Sequence, residues 1–177
     1  QERVSIRELT DGEIIQKLER ARQLHEARKY AEELEILIEC HENDPENSSV
    51  LTDLGRCYRC VHEIDKAIMC YEAALKINPN EAAAYTNMGT IYIMRGEYDQ
   101  AARCYEKGLP LHDKAEYDHW LAYANYAVVI ALQGDKARAE KMIREAELHG
   151  YKNGEQLRKM AGIRKKGILS RIKALFS

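Results

Sequence analysis

A chain of 177 residues is long enough for one domain or for one short array of repeats. The net charge of −2 at pH 7 selects no class of partner, and five cysteines, an odd number, do not fit a secreted disulfide framework. The sequence shows no signal peptide, and its longest apolar run, near 126–132, is too short to cross a bilayer. We therefore expect a cytoplasmic protein with reduced thiols.

A 34-residue pattern recurs along the chain. A shift of 34 positions aligns Gly55 with Gly89. The same shift aligns Tyr71 with Tyr105, together with the residues on either side of them. Self-similarity at such a period is typical of helical repeat arrays. The last copy follows a four-residue insertion, Glu116–His119. The copies are predicted at about 14–47, 48–81, 82–115 and 120–153, with a lead-in at 1–12 and a separate segment at 154–177.

Each copy has the pattern of two helices. In the second copy, the first helix is predicted from about Ser49 to Val61 and the second from about Ile64 to Ile77, where apolar residues recur at three- and four-residue spacing. Pro79 ends the second helix, because proline disfavours helix at the residue before it. Gly96 and Gly134 are predicted at the bends between the two helices of their copies.

A period of 34 residues with two helices, small residues where they cross and a closing proline resembles the tetratricopeptide repeat (TPR). The resemblance implies an all-α fold, a right-handed superhelical solenoid of about four TPR helix-turn-helix repeats with a C-terminal capping helix. It also implies a non-catalytic protein-protein interaction module. The first copy departs from the pattern, because Glu33 stands where a small alanine is usual. The residues that carry the resemblance in the middle copies are Leu54, Gly55, Tyr58, Ala67, Tyr71, Ala74, Pro79, Tyr85, Met88, Gly89, Tyr92, Ala101, Tyr105 and Gly108.

In TPR arrays the first helix of each pair lines a concave surface on which the family usually binds peptide segments. Asn87 and Asn125 occupy equivalent places in successive copies, where they resemble the asparagine ladder that holds a peptide backbone in some TPR proteins. An amide suits this role because it both donates and accepts hydrogen bonds; the alternative is two solvated polar residues. Arg56 is expected to favour an acidic group of the partner. The candidate groove residues are Arg56, Asn87, Asn125, Thr52, Thr90 and Val128.

Some TPR domains grip the C-terminal carboxylate of a chaperone with five groove residues that include paired cations. Counted from the second copy, the equivalent positions here are Thr52, Arg56, Asn87, Leu121 and Asn125. This set holds a single cation, and a frame that starts at the first copy has no cation pair either. We therefore expect no chaperone binding by a carboxylate clamp.

The end of the chain differs from the rest in charge, because residues 152–177 carry eight basic residues and one acidic residue. Segment 154–177 is predicted to form a basic amphipathic helix, with Ile168, Ile172 and Leu175 on one stripe. It would cap the last repeat, fold into the concave groove, or lie on an anionic membrane in a membrane-peripheral adaptor. No aromatic stacking platform accompanies the basic residues, so nucleic acid is not an expected partner.

Cys57 and Cys60 form a C-x-x-C within a predicted helix. A structural zinc site usually needs two such pairs, and the sequence has no second pair. We interpret the thiols as small apolar filler. No phosphate-binding loop, nucleophile elbow or H-E-x-x-H motif occurs. The sequence therefore predicts no metal, no cofactor, no catalytic residue and no enzymatic activity, and instead a protein or peptide partner.

Overall fold

The computed structural model describes residues 9–113 and 117–163, with the backbone alone at 117 and 118. Every regular element in this part of the chain is helical, which confirms the predicted all-α fold. A short 3₁₀ turn, Leu109–Leu111, follows the sixth α-helix. The helices are α1 (Asp11–Glu26), α2 (Tyr30–Asn43), α3 (Ser48–Cys60), α4 (Ile64–Ile77), α5 (Ala82–Met94), α6 (Tyr98–Gly108), α7 (Tyr117–Leu132), α8 (Lys136–Leu148) and α9 (Gly154–Met160).

The chain divides into two compact units, which we call unit 1 (Gln1–Met88) and unit 2 (Gly89–Ser177), and the boundary falls within α5. In unit 1, α2 packs against α1 and α3, and α3 packs against α4. In unit 2, α7 packs against α6, α8 and α9, and α8 packs against α9. Most of these neighbours are consecutive in sequence, which is the contact pattern of a chain of helical hairpins.

The helix ends coincide with local sequence signals. In the second copy, α3 and α4 differ from the predicted bounds by at most one residue. The side chain of Asn47 accepts a hydrogen bond from the N–H of Val50 and so caps the start of α3. At the start of α1, Thr10 and Glu13 form a capping box. The four-residue insertion lengthens a helix rather than a loop, because α7 has 16 residues where α3 has 13.

Glycine is required where two helices cross in unit 1. A Cβ built on Gly55 of α3 would lie 2.6 Å from Cε1 of Tyr71 on α4, whereas carbon atoms in favourable contact are roughly 3.5–4.0 Å apart. Tyr71 is fully buried at this crossing. Gly89 and Tyr105 repeat the arrangement in unit 2, where the shortest distance is 2.9 Å. The glycine–tyrosine pairs that align in the sequence are therefore crossing contacts between helices.

Each helix pair turns at a residue with positive φ. Gly96 and Gly134 have φ of 74° and 107° and lie at the predicted bends of unit 2. The bends of unit 1 use Arg28 and His62 instead, with φ of 58° and 65°. A side chain in this left-handed region costs roughly 1 kcal/mol that glycine avoids. Unit 1 therefore carries backbone strain that unit 2 does not have at the same places.

The described part of the C-terminal segment contains one short helix, α9. α9 ends at Met160, and Gly162 follows with a φ of 60°. Arg158 fixes this helix to α8, because its two Nη atoms each donate to Glu147 at 2.7 Å and its Nε donates to Glu140 at 2.8 Å. The described part of the C-terminal segment thus packs on the last helix pair, while the predicted apolar stripe at 168–175 lies outside the described residues.

Candidate binding surface on the first helices

The two predicted ladder asparagines have unused hydrogen-bonding capacity. Asn87 lies on α5 in unit 1 and Asn125 lies on α7 in unit 2, and both are half-buried. Neither side chain makes a hydrogen bond with the residues that the structure describes. An amide in this position keeps two donors and one acceptor for an incoming group. Each unit therefore offers one such amide on a first helix.

The two threonines of the predicted groove already have protein partners. Thr52 is only 4% exposed, and its hydroxyl donates to the carbonyl oxygen of Ser48 at 3.0 Å. The Oγ1 of Thr90 lies 3.0 Å from the hydroxyl of Tyr105. Both threonine hydroxyls are thus engaged within their own units, and we assign them a role in holding the helices rather than in contacting a partner.

Val128 does not lie on an open surface, contrary to the sequence expectation. Its side chain is 3% exposed and belongs to the same core cluster as Leu157 and Ala161. The reason is tertiary, because α9 packs against α7. Leu132, at the end of α7, stays 43% exposed. Among the described residues of α7, the exposed large apolar side chains are therefore Leu121 and Leu132 rather than Val128.

Arg56 is the centre of an ion-pair cluster in unit 1. Its Nη2 lies 2.8 Å from Oδ1 of Asp53 and 3.8 Å from Oε1 of Glu33. Glu33 is fully buried, and its Oε2 lies 2.9 Å from Nδ1 of His25. A buried carboxylate is costly without such partners. The departure from the repeat pattern at Glu33 thus ties α1, α2 and α3 together, and an acidic group of a partner would have to compete for Arg56 with two internal carboxylates.

A second arginine of α3 has no such neutralising partners. Arg59 makes no ion pair with the described residues, and its Nε is buried without a hydrogen-bond partner. The hydroxyl of Tyr71 is in the same state. Burial raises the pKa of Tyr71 above its ordinary value, and the nearby Arg59 and Arg56 oppose this only in part. The phenol therefore stays protonated at neutral pH.

The repeat alignment accounts for the different surroundings of Arg56 and Arg59. The position that matches Thr90 in the second copy is Arg56. In the second copy, Arg56 pairs with Asp53 and Glu33. The hydroxyl of Tyr71 therefore lacks the kind of partner that Thr90 provides for the hydroxyl of Tyr105. The charge of Arg59, one turn later, acts on this hydroxyl and opposes the rise in its pKa.

Burial favours the protonated form of four cysteine thiols, because it raises their pKa values. Burial raises the pKa of Cys57, whose Sγ donates to the carbonyl oxygen of Tyr30 at 3.3 Å. Burial also raises the pKa values of Cys40, Cys70 and Cys104. The thiolate is the reactive and metal-binding form of cysteine, so these side chains serve packing. Within residues 9–113 and 117–163, no three His, Cys, Asp or Glu side chains are arranged to hold a metal ion.

Several solved structures share this arrangement of helices at low sequence identity. PilW, described as a widely conserved type IV pilus biogenesis factor, is 18% identical with a TM-score of 0.72, over 88% of this chain and 72% of PilW. MamA is 21% identical with a TM-score of 0.62, over 77% of each chain. The first TPR of Spaghetti (RPAP3), solved with the HSP90 peptide SRMEEVD, is 16% identical with a TM-score of 0.61, over 72% of this chain and 98% of that one. These likenesses show the fold.

A comparison with curated proteins finds no match. A family model does match, and its description is Psidin, N-terminal TPR repeats region. The match covers residues 12–149, more than three quarters of the chain, and includes all four helix pairs from α1 to α8 apart from the first residue of α1. The resemblance stated from the 34-residue pattern is thereby confirmed. The chain belongs to this family of TPR proteins.

Proposed function

We propose that the protein is a non-catalytic interaction module that binds a peptide or an extended protein segment on the first helices of its pairs. In this proposal the amides of Asn87 and Asn125 each hydrogen-bond to the backbone of the bound segment. The TPR fold supports the assignment, since the first helices carry the ligand surface in this fold. The side chains around the two amides would determine which peptide sequences bind.

The proposal is based on the burial and the hydrogen bonding of the two amide side chains. Each is half-buried at an equivalent place in consecutive copies, and neither is used by the described part of its own chain. A peptide backbone presents a donor and an acceptor at every residue other than proline, which matches the two functions of an amide. The threonines at neighbouring positions differ, because their hydroxyls are already bonded.

The test begins with affinity chromatography on the full chain, with mass spectrometry to identify a retained protein and overlapping synthetic peptides to define the bound segment. Fluorescence anisotropy then compares the wild type with Asn87→Ala/Asn125→Ala. Two lost hydrogen bonds of about 1 kcal/mol each predict binding that is at least ~10-fold weaker. The matched control is Gln100→Ala/Gln156→Ala, which removes two exposed amides outside the first helices. Equal affinities for wild type and the asparagine variant would contradict the proposal.

A membrane-peripheral adaptor is the second candidate function. It depends on the basic residues within 164–177, a range that lies outside the described residues. None of the helices that the structure describes is long and apolar enough to cross a membrane. Co-sedimentation with vesicles of phosphatidylserine and phosphatidylcholine separates the two functions. Vesicle binding that is lost when 163–177 are deleted would favour the adaptor. No vesicle binding by the full chain would favour the peptide-binding module.

The absence of a carboxylate clamp stays a prediction of the proposal. Thr52 and Leu121 bring no charge, and Arg56 is paired with Asp53 at 2.8 Å. We therefore expect the peptide SRMEEVD, present in the structure of the Spaghetti domain, to show no saturable binding at micromolar concentrations. Isothermal titration calorimetry checks this directly.

A further inference from the structure

Asn153 is the one asparagine in the sequence that a glycine follows. The side-chain amide of an asparagine can be attacked by the backbone nitrogen of the next residue, and a following glycine hinders this nitrogen least because it has no Cβ. The side chain of Asn153 is exposed and makes no hydrogen bond with the described residues. No contact therefore holds this amide away from its neighbour.

The backbone nitrogen of Gly154 is not used by the fold. Gly154 is the first residue of α9, where an N–H group has no acceptor inside the helix, and its N–H makes no hydrogen bond with the described residues. Glycine is required here, because a Cβ built on Gly154 would collide with the side chain of Glu147. Arg158 holds Glu147 in this place through two hydrogen bonds of 2.7 Å. The ion pair that anchors α9 thus lies directly beside the pair Asn153 and Gly154.

The folded backbone nevertheless keeps the two reacting groups apart. The attack closes a ring of five atoms, which requires the nitrogen of Gly154 and the Cβ of Asn153 to lie on the same side of the Cα–C bond. At the observed ψ of 23° they lie on nearly opposite sides. The ring can therefore close only after the first turn of α9 has opened. Such local openings have their own free energy, which here depends on the bonds from Arg158 to α8.

We propose that Asn153 is a deamidation site whose reaction is restrained by the ion pair between Arg158 and Glu147. The nitrogen of Gly154 forms a bond with Cγ of Asn153 and gives up its proton to solvent, and ammonia leaves from Cγ. Water then opens the cyclic imide. Cleavage of the new Cγ–N bond gives aspartate, and cleavage of the original peptide bond gives isoaspartate. Solvent water is the only co-reactant.

The two products differ in their effect on α9. Aspartate keeps the backbone intact and adds a negative charge at the N-terminal end of the helix, where such a charge is favourable. Isoaspartate adds a methylene group to the main chain and removes from it the carbonyl group of Asn153. That carbonyl accepts a hydrogen bond from the N–H of Leu157 at 3.2 Å. Only the isoaspartate product therefore loosens the start of α9.

The test incubates the full chain at pH 8 and follows each asparagine by peptide mapping with mass spectrometry. Asn80, which is exposed and lies in a turn before Glu81, is the internal control. We expect faster conversion at Asn153 than at Asn80. In Arg158→Ala the rate at Asn153 should rise at least ~10-fold, because the anchor no longer opposes the opening. Gly55→Ala is the matched control, since it disturbs unit 1 and leaves this anchor intact.

A blocked peptide, acetyl-Tyr-Lys-Asn-Gly-Glu-Gln-amide, gives the rate without the fold, and we expect it to exceed the rate in the wild type. Equal rates in the wild type and the peptide would overturn the restraint by α9. Conversion at Asn153 no faster than at Asn80 would overturn the site. Equal acceleration in Gly55→Ala and Arg158→Ala would assign the reaction to the globally unfolded chain.

Two further variants complete the test. If Arg158→Ala does not fold, Arg158→Lys replaces it, because lysine keeps the charge and loses the paired donors. Its rate at Asn153 should also exceed that of the wild type, and an unchanged rate would contradict the restraint. Limited proteolysis then compares the isoaspartate form, separated by ion exchange, with Asn153→Asp. We expect cleavage within α9 in the isoaspartate form alone, and equal resistance of the two would contradict the loosening of the helix.

Discussion

The hydroxyl of Tyr105 lies 3.0 Å from Oγ1 of Thr90, and this hydrogen bond joins α6 to α5 within unit 2. Its equivalent in unit 1, Tyr71, is equally buried but has no hydroxyl partner. Tyr105→Phe should therefore lower the free energy of unfolding by about 1 kcal/mol, whereas Tyr71→Phe should leave it unchanged or raise it slightly. Urea denaturation followed by circular dichroism measures both. Equal losses of stability in the two variants would contradict the expected difference between the two tyrosines.

Two glycine substitutions are expected to have opposite effects on the free energy of unfolding, because only one of these glycines lies where α3 and α4 cross. Gly55→Ala places a Cβ within 2.6–2.9 Å of the ring of Tyr71, and a fully buried ring has little room to move. We expect a loss of about 2 kcal/mol in the free energy of unfolding, despite the better helix propensity of alanine. The control is Gly12→Ala in α1, where no heavy atom lies within 4 Å. That variant should be neutral or stabilised, and thermal unfolding distinguishes the two signs.

The helix pairs could be predicted from the sequence because their signals are local. Apolar spacing and the proline after α4 place its end at Ile77 without any tertiary information. The bends at Gly96 and Gly134 were also visible. The matching bends at Arg28 and His62 were not, since residues other than glycine adopt a positive φ only uncommonly. Only the alignment of all four copies would have indicated that the backbone makes the same turn there.

The candidate site was less predictable, because it depends on which side chains meet. Val128 has the spacing of an exposed groove residue, but it is buried in a core cluster that also includes residues of α9. Arg56 and Arg59 are both cations on one helix, and the sequence does not show which of them pairs with carboxylates. The difference follows from the positions of Glu33 and Asp53, which form ion pairs with Arg56.

The strained bend in unit 1 offers a stabilising change. His62 is exposed and has a φ of 65°, where a side chain costs roughly 1 kcal/mol. His62→Gly should raise the free energy of unfolding by about 0.5–1 kcal/mol, because the relief of strain exceeds the added entropy of the unfolded chain. Differential scanning calorimetry records the shift in Tm. The matched change in unit 2, Gly96→Ala, should act in the opposite direction, and a loss of stability in both variants would count against strain at His62.

The anchoring of α9 depends on one arginine. Arg158 has a side chain 9% exposed and binds both Glu147 and Glu140. Burial raises the pKa of the Glu140 carboxyl, but the hydrogen bonds from Arg158 and Arg144 outweigh it and hold the pKa below its usual value. Arg158→Ala should cost about 2–3 kcal/mol and expose α9 to limited proteolysis. Arg144→Ala is the control, because Arg144 is 62% exposed and should cost no more than ~0.5 kcal/mol. Equal protease sensitivity in the two variants would exclude the anchor.

The contact between α6 and α7 should be sensitive to alkali. The hydroxyl of Tyr126 donates to Glu106 at 2.8 Å, and burial together with this bond raises the pKa of Tyr126 to about 12 from an ordinary value of 10.0. The folded state therefore binds the phenol proton more tightly than the unfolded chain. Its contribution to stability is complete below about pH 10 and is lost as the pH rises towards 12. Urea denaturation at pH 9, 10 and 11 should show a steeper loss of stability in the wild type than in Tyr126→Phe, with a difference of about 1 kcal/mol at pH 11. Parallel curves for the two proteins would mean that Tyr126 titrates alike in both states.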